Sequence, residues 1–138
     1  MVVLETLVYL AVGLLLMMIA YCIIDLLIPV DFPKEIKDGN KAVGWVSAGI
    51  YASLGFIIRS AIISFDVSEA HDLLPGIIST AEFAGIGVVA LVIGYFIVDL
   101  VNTKFNFGVE LGKKNEAAGI MIFGIFMGVA FIVSGVIQ

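Results

Sequence analysis

The chain has 138 residues, 62% of them hydrophobic and 14% charged, where a soluble domain runs roughly 45–50% apolar and about 25% charged. This composition excludes a soluble globular protein, and a formal net charge of −5 withholds the basic surface that nucleic-acid binding by counterion release requires. A single cysteine, Cys22, excludes an intramolecular disulfide framework and any multi-cysteine metal site.

Four segments reach the roughly 20 mostly apolar residues that a spanning helix needs. The first runs from Val2 to Ile28, uncharged between Glu5 and Asp25, and stops at Pro29 and Pro33 in the loop "PVDFPKEIKDGN". It has no basic leading region, so it is predicted to remain in place and not to act as a cleaved signal. The second runs from Ala42 to Phe65 and carries Arg59 near its far end. The third begins after Pro75-Gly76 and reaches Leu100, with Glu82 inside it and Asp99 at its close. The fourth, Ala117 to Gln138, has no charge. The predicted fold is an all-α integral membrane protein with four transmembrane helices. Residues 1–65 and 77–138 each form a two-helix unit, and residues 66–76 form the connector. Lys34, Lys37 and Lys41 lie in the first loop and Lys104, Lys113 and Lys114 in the third, while the connector has no lysine. Positive loops face the cytoplasm, which puts both chain ends and the connector outside a bacterial inner membrane.

The second half repeats the first. "NKAVGWVSAGIYASLGFIIRSAI" from Asn40 aligns without a gap on "NEAAGIMIFGIFMGVAFIVSGVI" from Asn115, and upstream Gly13, Tyr21 and Asp25-Leu26 match Gly87, Tyr95 and Asp99-Leu100. Each unit has an even number of spans, so the copies enter the membrane from the same side and are expected to be related by a half-turn about the membrane normal. The doubled Asn-x-Ala-x-Gly motif, at Asn40, Ala42, Gly44 and at Asn115, Ala117, Gly119, with Asp-Leu upstream each time, resembles the bacterial membrane family catalogued as domain of unknown function 350. The resemblance covers nearly the whole chain. It implies two such units in an inner membrane, in contexts linked to stress response or polyamine-related metabolism, and it supplies no catalytic residues. Ser134 stands where the first copy has Arg59.

Small residues line one face of each second helix: Ala42, Gly49, Ser53 and Ser60, then Ala117, Gly124, Gly128 and Gly135. Such stripes let backbones approach in lipid, so Gly49, Ser53, Gly124 and Gly128 are expected in facing seams, either within one bundle or between protomers of a homo-oligomer. Asn40 and Asn115 stand at helix starts, where they cap orphan N–H groups. Alternatively, with Asp25 and Asp99 at the same level, they form a cytoplasmic polar ring that admits a cation.

Arg59 and Glu82 fall at similar depth below the outer surface, which suggests an intramembrane ion pair; the alternative is two charges that separately reach water. Asp66, Glu69, His71 and Asp72 in the connector are a weak metal-ligand set, otherwise a solvated acidic loop. No nucleophile with an adjacent base, phosphate loop or metal-ligand spacing appears, so no enzyme and no cofactor are expected. Two functions survive beyond contact with the lipid bilayer. The favoured one is an oligomeric permeation or transport component for a cation or small charged metabolite, with Arg59, Glu82, Asp25 and Asp99 along its path. The other is an accessory scaffold whose cytoplasmic loops dock a soluble protein. Charges converging inside the bundle favour the first, and charges displayed on the loops favour the second.

Overall fold

The computed structural model describes residues 2–66 and 73–137. Among these residues six helices follow in chain order: α1 (Val2–Leu27), α2 (Phe32–Lys37), α3 (Lys41–Asp66), α4 (Leu73–Val101), α5 (Phe107–Gly112) and α6 (Glu116–Ile137). The four long ones, α1, α3, α4 and α6, are the expected spans, each long and apolar enough to cross a bilayer. α4 starts earlier than expected, because Pro75 sits in its first turn, where a residue without an N–H leaves no helical bond unmade. α3 in turn runs on through Asp66, so the connector is shorter than residues 66–76.

The core belongs to α3. Ala42, Val43, Val46, Ile50, Leu54 and Ile57 are all buried, since three helices surround this one. α6 runs parallel to α3 and packs along it from end to end. At one end Gly119 lies against the Ala42 backbone, and a Cβ there would come within 2.7 Å of Ala42 Cα. Midway, Gly49 lies against Phe123 and Phe126. At the far end Ser60 and Ser134 share a hydrogen bond, and Ser64 Oγ donates to the Ile137 carbonyl at 3.1 Å. On the front of α3, Gly87 of α4 receives Ile57, and Gly94 of α4 receives Val129 of α6. α1 packs on α3 and α4 and is otherwise mostly exposed apolar surface, as a lipid-facing helix should be.

The neighbour relations depart from a strict half-turn. α4 of the second unit packs against α3 of the first, but α1 makes no comparable contact with α6. This departure decides which small residues are used. Ala42, Gly49, Ser53 and Ser60 of α3 lie in the seam and are buried. Gly124 and Gly128 do not: they are exposed, and a Cβ on either would meet nothing within 4 Å. Their expected place in the intramolecular seam is therefore corrected. α6 turns Ala118, Ile122, Phe126, Ala130 and Ser134 inward because equivalent faces do not meet once the half-turn is broken.

A residue difference between the two units strands a hydroxyl. Tyr21 shares a hydrogen bond with Ser47 at 3.3 Å. Its counterpart Tyr95 is buried with no partner for its hydroxyl among the described residues, because the residue equivalent to Ser47 is Ile122. Tyr95→Phe is expected to be neutral or to stabilise by up to about 1 kcal/mol, whereas Tyr21→Phe should cost about 0.5–1.5 kcal/mol. Thermal unfolding of the two variants in one detergent checks the difference in sign.

Candidate functional site

Each of the two lysine-bearing loops folds into a short helix by the same set of bonds. Asp31 caps α2, its Oδ1 accepting from Lys34 N–H at 3.4 Å, and Asn106 caps α5, its Oδ1 accepting from Val109 N–H at 3.2 Å. The carboxylates that close the preceding spans take the next orphan donors: Asp25 Oδ1 accepts from Phe32 N–H at 3.0 Å and Asp99 Oδ1 from Phe107 N–H at 2.9 Å. Carboxylates suit this position because the first turn presents unpaired N–H groups at the positive end of the helix. Phe32 and Phe107, at the starts of these helices, are fully buried beneath Tyr21 and Tyr95, with ring centroids 5.7 and 5.6 Å apart.

Both short helices end in a left-handed residue, Gly39 (φ 76°) in the first and Lys114 (φ 61°) in the second. In each, two backbone N–H groups turn back: Gly39 to Ile36 O and Asn40 to Glu35 O, Lys114 to Leu111 O and Asn115 to Glu110 O. The side chains lock the turn. Asn40 Nδ2 donates to Glu35 Oε2 at 2.7 Å and Asn115 Nδ2 to Glu110 Oε2 at 2.9 Å. Asn40 alone goes further. It is buried, its Nδ2 also donates to the Leu111 carbonyl of α5 at 2.8 Å, and its Oδ1 accepts from Ala42 and Val43 N–H at 3.0 and 3.4 Å. That bond to Leu111 ties one loop to the other, whereas Asn115 is exposed.

Asp25, Asn40, Asp99 and Asn115 thus share no hydrogen bond with one another among the described residues. In place of a ring that admits a cation, they form two separate brackets, because nearby orphan N–H groups claim both carboxylates and the Asn40 amide oxygen, while Asn115 donates to Glu110. Residue types at these four positions pointed to the right places. Their partners Phe32, Glu35, Phe107 and Glu110 were missed. Carrying the repeat through the loops would have found them, since all recur at one spacing once a single extra residue after Asp99 is allowed.

Arg59 and Glu82 do not pair. Both are exposed, and among the described residues the ion pair that forms joins Lys113 and Glu110 at 4.0 Å. Matched depth did not carry matched direction. α3 meets α1 on one flank, through Tyr51 on Tyr21, and α6 on the other, through Trp45 on Phe123 and Phe56 on Phe131. Arg59, half a helical turn from Ile57, faces the open back between them. Glu82 lies half a turn from the buried Thr80, Ala84 and Gly87 of α4 and faces away from the bundle on the opposite side. A charge at mid-bilayer on insertion scales costs about 2.5–3.5 kcal/mol, and less toward the interface.

Among the described residues, no three His, Cys, Asp or Glu side chains gather to hold a metal. Glu69, His71 and Asp72 lie outside the described residues, as does the side chain of Asp66. At the loop end of the α3–α6 seam, Lys41, Gly44, Trp45, Ala48 and Glu116 line an open hollow of about 380 Å³. There Trp45 Nε1 donates to Glu116 Oε1 at 3.1 Å.

Residues 1–137 match the family described as Domain of Unknown Function (DUF350). The chain belongs to this family. It is 25% identical over 126 residues to the UPF0719 transmembrane protein YshE of Bacillus subtilis (strain 168), covering 91% of this chain and 87% of that one. It is 31% identical over 110 residues to a UPF0719 transmembrane protein of Aquifex aeolicus (strain VF5), covering 79% of this chain but only 38% of that longer protein. No solved structure matches the chain. With four apolar spanning helices and relatives named as transmembrane proteins, this DUF350 chain is an integral membrane protein in contact with lipid.

Proposed function

We propose that this protein is a non-catalytic membrane scaffold that presents its paired short helices to a soluble protein partner. The observation that carries this reading is that the polar loops are folded and braced while the bundle interior, among the described residues, buries no Asp, Glu, Lys or Arg. A path for a charged solute through one chain would need the reverse. On the loop surface Ile36, Val109 and Phe105 are exposed beside Lys34, Lys37, Lys104 and Lys113, a mixed apolar and charged patch of the kind that protein interfaces use. By the lysine count this face lies in the cytoplasm of a bacterial inner membrane, with both chain ends outside.

The permeation reading retains one supporting observation, that Arg59 and Glu82 face outward inside the spans; any path they line would run between copies. A photo-crosslinking residue at Val109 in living cells tests the scaffold reading. A discrete adduct with one soluble protein, lost on Ile36→Asp, is expected. A cysteine at Asn106, in a Cys22→Ser background, should resist a membrane-impermeant maleimide in intact cells. Self-adducts alone, together with potassium or diamine flux through proteoliposomes of the purified protein, would replace scaffold by permeation.

A further inference from the structure

Two unpartnered faces of the bundle match each other. The back of α3 is a trough between α1 and α6, floored by Gly44, Ala48, Ala52 and Gly55 and closed at its far end by Arg59. A Cβ on Gly44 would meet nothing within 4 Å, and one on Gly55 would meet only the tip of Met17 at 3.9 Å. At the loop end the trough widens into the hollow beside Trp45. The second face is the outer side of α4, where Glu82, Ile86, Val89, Ile93 and Phe96 are exposed in a row.

We propose that the outer face of α4 from a second copy of this chain lies in the α3 trough, with Glu82 of one copy against Arg59 of the next. Copies that share one orientation in the membrane bring α3 and α4 together antiparallel, as they already run within the chain. Both faces advance by the same alternation of four-residue and three-residue steps, the spacing of a helix-packing seam. Setting Arg59 against Glu82 therefore places Gly55 against Ile86, Ala52 against Val89, Ala48 against Ile93 and Trp45 against Phe96. A small residue meets a large one at each of the three middle levels, which lets the helices close without a hydrophobic drive. Arg59 lies about 10 Å from the end of α3 and Glu82 about 13 Å from the start of α4, at 1.5 Å per residue, so the charges also agree in depth.

An acyl chain would fill the trough but leave both charges in lipid. The open glycine face of α6, with Gly124 and Gly128, would also bring helices together but offers nothing to Arg59 or Glu82. Charge complementarity singles out α4. Trough and α4 face lie on opposite sides of the bundle, so the contact is head-to-tail and closes as a ring or continues as a row. The missing α1–α6 contact leaves the trough vacant for it.

Charge reversal tests the assignment. Arg59→Glu and Glu82→Arg should each weaken self-association about tenfold or more, since each sets like charges across the contact. Native mass spectrometry from mild detergent reads the loss. Differently tagged copies of the two variants, co-expressed, should recover the oligomer and co-purify, because each supplies the charge the other lacks. A second measurement leaves both charges intact: in a Cys22→Ser background, Ala52→Cys in one tagged copy and Val89→Cys in another should form a disulfide between tags in membranes, and Ala52→Cys with Gly128→Cys should not. A monomeric wild-type protein without the 52–89 disulfide overturns the proposal. So does an oligomer indifferent to both reversals, or one lost on Gly124→Leu but kept on Ala52→Leu, which would assign the contact to α6.

Discussion

Replacing Gly119 by leucine is expected to separate α3 from α6 and to destabilise the bundle by about 3 kcal/mol or more, at the upper end of what overpacking costs. The neighbour of a new Cβ at this position is backbone, with Ala42 Cα at 2.7 Å and Ala42 C at 2.8 Å. A flexible side-chain tip could swing away, but a helix backbone moves only as a whole. Such a movement would also loosen Gly49 from Phe123 and stretch the bond between Ser60 and Ser134, because these contacts share one seam. Even Gly119→Ala should be destabilising. Gly124→Leu should stay within about 0.5 kcal/mol in the monomer, as surface changes generally do, because nothing lies within 4 Å of the site. Unfolding of the variants by a denaturing detergent, followed by circular dichroism, gives the ranking; equal losses at Gly119 and Gly124 would contradict the seam.

Asn40→Ala should cost about 2–4 kcal/mol, the sum of a lost helix cap and the lost hydrogen bonds from its buried amide to Glu35 and Leu111. Asn40 is 2% exposed and satisfies both ends of its amide: Glu35 and Leu111 receive its protons, and Ala42 and Val43 give theirs. Without it the α2–α3 turn loses its lock, and α5 loses its tie to the first loop. Asn115→Ala, at the matching but exposed position, removes one bond, to Glu110, and should cost about 1 kcal/mol or less. Hydrogen exchange provides a local reading. Amides of α5 should lose protection in Asn40→Ala, although that substitution lies in the other loop, and Asn115→Ala should leave α2 unchanged. Asn40→Asp should not rescue, because it removes both donors and sets a carboxylate beside Glu35.

Both expectations concern positions that the repeat made conspicuous. The aligned motif named Asn40 with Asn115 and Gly44 with Gly119, but not which member of each pair would be indispensable. Alignment compares each residue with its counterpart, while packing depends on what stands opposite. Gly44 looks onto open space and Gly119 onto a backbone, although the two occupy equivalent places in the chain. The short helices were hidden for a related reason. Six residues are too few for a hydrophobic period, so their evidence was the caps Asp31 and Asn106 and the turn residues Gly39 and Lys114, the last a residue type that gives no hint of a left-handed turn.

Length and apolar composition by themselves determined four spans, because about 20 consecutive residues without water must satisfy their own backbone groups and can do so only as helices. Self-similarity determined that two units share one local design, down to the carboxylate that ends each first helix. Only the tertiary structure decided which faces meet. Lipid is as apolar as leucine, so no hydrophobic stripe marks the inner side of a membrane helix, and direction is left to close packing between particular neighbours. Arg59 and Glu82 show the consequence: their depth was legible along the chain, and their placement on opposite sides of the bundle was not.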